Sequence, residues 1–226
     1  MLIVALDFST DEEAYRFIAP LSPNDCILKV GLQLYVAAGP TFVKSLVAMG
    51  FKVFLDLKFH DIPNTVAGAC KSAADLGVWM INVHAAGGPV MLEAASNSLI
   101  GYQDPPILIG VTVLTSMDQQ QLNAINVNQS PEEQVKHLAL SCANAGLAGV
   151  VCSAQESEML RQEQGQEFIL VTPGIRPADS DSADQQRIMT PQQAMSAGSN
   201  YIVVGRPITE AVEPLAVIRS INRAIA

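Results

Sequence analysis

Three charged residues could do chemistry in the run Asp56-Leu57-Lys58-Phe59-His60-Asp61-Ile62-Pro63-Asn64-Thr65. They follow an apolar segment, Val53-Phe54-Leu55, with the character of a buried strand. Side chains alternate sides along a strand, so Asp56 and Lys58 are expected on one face near its C-terminal end, with His60 turned away. Asp61 follows in the loop or first turn before a helical pattern that starts near Val66. Burying an ion is costly unless it is paired, so charges of alternating sign beside a core segment need one another. The cluster is either a structural ion pair, in which Asp56 only orients Lys58, or part of an active site. The run alone does not choose between them.

The elements that must position this cluster recur as strand, then helix. Apolar runs at 2–6, 26–30, 52–58, 80–85, 107–114, 149–153, 168–171 and 201–204 read as eight strands. Between them, Ser9 and Thr10 offer helix caps to Glu12 and Glu13. Pro40 opens a helix through Phe42, Val43, Leu46 and Val47 that Gly50 ends. Ser130-Pro131-Glu132-Glu133 carries a capping box. A Gln- and Asn-rich loop follows the fifth strand, a short helix is expected around 156–160, and the last helix at roughly 209–224. Eight near-continuously apolar strands alternating with helices predict a single (β/α)8 barrel domain, a TIM barrel, over residues 1–226. An open doubly wound sheet is the alternative, weakened by the lack of G-x-G-x-x-G after the first strand.

Barrel enzymes build their sites at the C-terminal ends of the strands. Polar residues gather there: Asp7 after strand 1, Lys29 on strand 2, Asp56 and Lys58 on strand 3, Thr115 after strand 5, Arg176 after strand 7, and Gly205-Arg206 after strand 8. The strand-start ends have no comparable collection. Loops after strands 7 and 8 often bind phosphate in such folds. At Gly205-Arg206 a glycine lets backbone N–H groups approach an anion, and the arginine adds a bidentate fork. The polar stretch from Arg176 to Met189 reads as a lid over that region.

Composition narrows the function classes. A net charge of -9 argues against nucleic acid, which selects basic patches. Cys26, Cys70, Cys142 and Cys152 show no C-x-x-C and read as small core residues in a reducing compartment. Met1 leads straight into the first strand and no apolar run reaches the length of a membrane span, so a cytoplasmic protein without leader or membrane segment is expected. His60, His84 and His137 have no ligand-like spacing, and His84 reads as a hydrogen-bonded barrel residue. No metal site is expected; a single Mg²⁺ on carboxylates is the alternative, opposed by Lys29 and Lys58 beside Asp56.

These motifs, in order, resemble those of the bacterial orotidine 5′-phosphate decarboxylase family. They are Ala5-Leu6-Asp7, Lys29-Val30-Gly31, the run from Asp56 to Thr65, Val111 to Ser116, Thr172 to Arg176, and Val204 to Ile208. The resemblance runs from Met1 to the last helix. It implies conversion of orotidine 5′-phosphate to UMP and CO2, the last step of pyrimidine synthesis, without a cofactor. By that resemblance Lys58 is the proton donor, and Lys29, Asp56 and Asp61 complete a charged network with it. Asp7 and Lys29 contact the ribose, and Thr115 lies near the pyrimidine. Arg176, Gln185, Gly205 and Arg206 hold the phosphate, with Gln185 bridging to the base. The resemblance further implies a homodimer in which Asp61, Ile62 and Thr65 reach the partner's site. Three other readings remain: a related Mg²⁺-dependent sugar-phosphate decarboxylase or aldolase, in which strand 2 typically carries Glu where Lys29 stands; a Schiff-base aldolase using Lys58; and a non-catalytic nucleotide-binding barrel.

Overall fold

In the computed structural model, which describes residues 1–177 and 189–226, eight parallel strands close into a barrel. They are β1 (Leu2–Ala5), β2 (Ile27–Gly31), β3 (Val53–Phe59), β4 (Met80–His84), β5 (Ile107–Val111), β6 (Gly149–Val151), β7 (Ile169–Thr172) and β8 (Tyr201–Val204). Pairing of Leu2 with Ile202 and of Ile3 with Val203 joins the first strand to the last, which excludes the open sheet.

The two-residue alternation sorts the strand side chains into two cores. Ile3, Ala5, Ile27, Phe54, Met80, Ile109, Val171 and Val203 pack together inside the barrel. Their neighbours Val4, Leu28, Val53, Leu55, Ile81, Leu108, Leu170 and Ile202 pack outward under the helices. This is why the strands read as continuous apolar runs: both faces are buried. The inward positions continue upward as Lys29 on β2, Asp56 on β3 and Asn82 on β4. The barrel therefore changes from apolar to polar towards the C-terminal ends of its strands.

The helices are α1 (Asp11–Ile18), α2 (Leu32–Ala48), α3 (Pro63–Ala74), α4 (Pro89–Ser98), α5 (Gln119–Ala124), α6 (Pro131–Asn144), α7 (Ser157–Gln164), α8 (Pro191–Ser196), α9 (Arg206–Thr209) and α10 (Pro214–Ile225). Several depart from the sequence expectation. Thr10 alone caps α1. A helical segment runs on from Pro40 as expected, but a further one precedes it from Leu32, and the two, together α2, are separated at Gly39, where φ is 71° and ψ is -173°; the following proline disfavours helical geometry there. The Gln-rich loop contains α5, capped by Asp118. Helix α8 has a capping box made by Thr190 and Gln193. The last expected helix begins later, at Pro214, as α10, with the separate short turn α9 ahead of it. The capping box of Ser130 and Glu133 is present on α6.

The strand-start end is tied shut by Arg161. Its guanidinium donates to the carbonyls of Gly165 (2.8 Å), Gln166 (2.9 Å), Phe168 (2.8 Å) and Gly198 (2.6 Å), and to Asn200 Oδ1 (2.8 Å). Asn200 Oδ1 also accepts from the Leu170 N–H, and the Asn200 carbonyl accepts from the Met1 ammonium. One side chain thus joins the end of α7 to the starts of β7 and β8. Arg161→Ala should destabilise the fold by about 4 kcal/mol, because several carbonyls lose a charged donor together. Urea unfolding measures this, and an unchanged midpoint would show the clamp to be dispensable. All four cysteines are buried and unpaired; burial pushes the thiols of Cys26, Cys70 and Cys142 up to about 12, so they stay protonated. No helix among the described residues is long and apolar enough to cross a membrane.

Candidate active site

A cleft of about 330 Å³ opens at the C-terminal ends of the strands, within the size range of small-molecule sites. Asp7, Lys29, Asp56, Lys58, Thr115, Arg176, Gly205 and Arg206 all line it, contributed by β1, β2, β3, β5, β7 and β8 or the loops that follow them. Its wall between these groups is apolar: Phe54, Val111, Val113, Val151 and Val203.

The charges form one alternating chain. Lys58 Nζ donates to Asp56 Oδ1 at 2.7 Å. Lys29 Nζ lies 3.4 Å from Asp56 Oδ2 and 3.2 Å from Asp7 Oδ1. Lys29 and Asp56 are buried, at 8% and 9% exposure, whereas the Asp7 and Lys58 side chains reach solvent at 60% and 36%. The buried pair is thus compensated on both sides, which is the condition for keeping ions inside a fold. Gly31 ends β2 at this point; a Cβ there would lie 3.1 Å from Lys29 Nζ, so a side chain would require the ammonium to shift by a few tenths of an ångström.

Lys58 is on the site face, as alternation predicts, but not in regular strand geometry. Its φ is 53°, in the left-handed region that costs a non-glycine residue roughly 1–2 kcal/mol. The β3–β4 register shifts here: Leu55 pairs with Ile81 and Phe59 with Val83. Residues 56–58 therefore stand opposite Asn82 alone, a bulge that re-aims the lysine. Asn82 fills the gap in the ladder. Its Oδ1 accepts from the Lys58 backbone N–H at 2.8 Å, and its Nδ2 donates to Asp56 Oδ1 at 2.7 Å. Sequence reasoning passed over Asn82, although an amide in the inward register between Met80 and His84 of an apolar strand was the available signal.

Asp61, Ile62 and Thr65 do not enter the cleft of their own chain. They are exposed on the β3–α3 loop and the first turn of α3, and Asp61 Oδ1 accepts from the Ile62 N–H at 2.7 Å. His60 does not line the cleft; it stacks on His84 with ring centroids 5.3 Å apart. His84 Nδ1 accepts from the Ala86 N–H, as expected of a hydrogen-bonded barrel residue. Burial, then the charges of His60 and Lys58, hold the His84 imidazole below its usual range.

On the other side of the cleft Arg176 is buried and Arg206, which opens the single turn of α9, is exposed. The Arg176 N–H donates to the Met189 carbonyl at 3.0 Å, closing the neck of the loop expected to act as a lid. Gln185 and residues 178–188 of that loop lie outside the described residues. Among the described residues four cations and two carboxylates line the cleft, so their net charge there is positive although the chain carries -9. Screening acts over roughly 8 Å, which lets this local charge decide what binds. Among the described residues no three His, Cys, Asp or Glu side chains group as metal ligands; the space beside Asp56 is taken by two ammonium groups.

Comparison with known proteins agrees with this geometry. Residues 1–221 match the model of the orotidine 5′-phosphate decarboxylase / HUMPS family. An orotidine 5′-phosphate decarboxylase of Glaesserella parasuis is 57% identical over 226 residues, covering 100% of this chain and 98% of that protein. The one from Vibrio parahaemolyticus is 56% identical over 226 residues, covering 100% and 97%. The crystal structure of orotidine 5′-phosphate decarboxylase from Lactobacillus acidophilus superposes with a TM-score of 0.88 at 40% identity, covering 99% of this chain and 98% of that one.

Proposed function

The chain belongs to the orotidine 5′-phosphate decarboxylase / HUMPS family, and we propose that it converts orotidine 5′-phosphate to UMP and CO2 in pyrimidine biosynthesis. The observation that carries this reading is the chain Asp7–Lys29–Asp56–Lys58, which ends in a solvent-reachable ammonium facing an apolar wall.

The chemistry makes a narrow demand. When the bond from the pyrimidine C6 to its carboxylate breaks, the electron pair stays on C6 in an in-plane orbital that the ring π system cannot absorb. A fixed cation beside C6 stabilises that charge as it forms. Lys58 Nζ then gives C6 a proton and becomes a neutral amine, which solvent recharges. Carbon dioxide leaves neutral, so the balance closes with one proton taken up and no cofactor. Asp56 holds and aims the Lys58 ammonium; it also stands where it would repel the substrate carboxylate, a repulsion that disappears with CO2. Asp7 and Lys29 bind the ribose, Thr115 lies near the pyrimidine, and Arg176, Gln185, Gly205 and Arg206 hold the phosphate. The substrate has two anionic groups, and the surplus of cations in the cleft suits it.

Two copies complete the site in this proposal. Asp61, Ile62 and Thr65 stand exposed in their own chain, which suits delivery to a second copy's cleft, where Asp61 would extend the alternating charges beyond Lys58. Purified protein in EDTA should consume orotidine 5′-phosphate, followed by its absorbance, at the same rate as with added Mg²⁺. No conversion, with Mg²⁺ then enabling turnover of a sugar phosphate, would overturn the reading in favour of the metal-dependent relatives. A Lys29 ammonium sits on β2 where those relatives typically carry a ligand, and this disfavours them.

A further inference from the structure

We propose that Asn82 is a positioning residue for this decarboxylation: its side-chain amide fixes the Lys58 backbone and the Asp56 carboxylate relative to each other. The inference rests on the decarboxylase reading and adds to it a group that does not touch substrate.

Asn82 is fully buried on the inward face of β4 and uses both ends of its amide. A buried amide must satisfy its donor and acceptor, and here the two partners are the two residues on which the chemistry depends. The bond from the Lys58 N–H to Asn82 Oδ1 replaces the ladder bond lost where the register shifts. It thereby holds Lys58 at a φ of 53°, which a lysine does not adopt by preference. The bond from Asn82 Nδ2 to Asp56 Oδ1 shares that oxygen with Lys58 Nζ, both at 2.7 Å. Asp56 Oδ2 is thereby left towards Lys29 at 3.4 Å. Without the amide the left-handed turn at Lys58 has lost its support and the carboxylate can rotate, so the ammonium moves from the position where charge develops. Misplacement by about 1 Å costs on the order of 100-fold in rate.

The arrangement gives Asn82→Asp a distinctive behaviour. Aspartic acid has the shape of asparagine. Protonated, its carbonyl accepts from the Lys58 N–H and its hydroxyl donates to Asp56. Ionised, it loses the donor and sets a second carboxylate against Asp56, so it holds its proton more tightly than a free carboxyl. The charged groups around position 82 are Asp56 and Lys58 on β3, Lys29 behind Asp56 on β2, and His84 further along β4; β5 contributes no ionisable side chain in Ile107–Val111. His84 is common to all the proteins compared, and its titration cancels in the comparison.

The experiment measures kcat, KM for orotidine 5′-phosphate and UMP affinity for wild type, N82A and N82D between about pH 5 and pH 8. N82A should lose about 100-fold in kcat with UMP affinity kept, at every pH. N82D should match N82A at the alkaline end and recover towards wild type as pH falls. A purely structural role would lower stability and kcat, raise KM, weaken UMP binding and show no acid recovery. N82A with wild-type kcat, or N82D without acid recovery relative to wild type, overturns the inference. Should N82A fail to fold, N82D carries the test, since its profile is read against its own activity. Wild-type protein that does not convert orotidine 5′-phosphate overturns the decarboxylase reading and this inference with it; an active wild type beside an equally active N82A overturns this inference alone.

Discussion

Lys58→Ala should lower kcat by on the order of 10⁵-fold while leaving the barrel folded. The ammonium is asked to do two things, each with a known scale. Positioned proton donors contribute roughly 10²–10⁴-fold, and fixed charges at a developing anion roughly 10²–10³-fold. Both vanish with one side chain. Folding survives because Asp56 keeps Lys29 at 3.4 Å and Asn82 at 2.7 Å, so its carboxylate is not stranded when Lys58 goes. The Lys58 side chain is 36% exposed, which limits the packing lost. UMP affinity should change little, because the product has no carboxylate at C6 and its phosphate lies across the cleft. Single-turnover conversion of orotidine 5′-phosphate, read beside UMP binding and a thermal unfolding curve, checks this. A kcat within about tenfold of wild type would remove Lys58 from the proton-donor role.

The strands were legible because each is buried on both faces, inward against Phe54 and Met80 and outward against the helices. No amphipathic guess was needed. The cleft was legible for the opposite reason: Lys29, Asp56 and Lys58 are charges in segments that are otherwise apolar, and such an anomaly survives in a bare sequence. What escaped was local geometry with no charge to mark it. Asn82 carries none, and its importance depends on a register shift that alternation cannot foresee, since alternation assumes the regular strand that the bulge breaks. The start of α2 at Leu32 was hidden because Gly39 and Pro40 interrupt the helical period. The cap of α8 was visible as Thr190 and Gln193 and was passed over beside a polar loop. Asp61, Ile62 and Thr65 are a different matter. They are exposed in the chain, and their assignment to a second copy's cleft belongs to the proposed dimer.

Arg206→Ala should weaken UMP binding and lower kcat/KM by roughly 10³-fold, about 4 kcal/mol. A guanidinium fork matches a phosphate with two parallel bonds that no other residue type supplies in the same geometry. Arg206 follows Gly205 directly at the end of β8, on the rim of the cleft. It is exposed, so little packing is lost with its side chain and the expected loss is one of binding rather than of stability. The effect should disappear for nucleosides: uridine affinity should be the same in variant and wild type, since the lost partner is the phosphate. Arg206→Lys should fall between, keeping the charge and losing the fork. Equal UMP affinity in R206A and wild type would move the phosphate elsewhere, and among the described residues Arg176 is the other guanidinium lining the same cleft. In the proposed reaction the phosphate takes no part in breaking the bond at C6, yet its binding energy would bear on kcat/KM by holding the reacting carbon against Lys58. A chain of net charge -9 attracts such a dianion only at short range, and this assigns recognition to the cations that touch it.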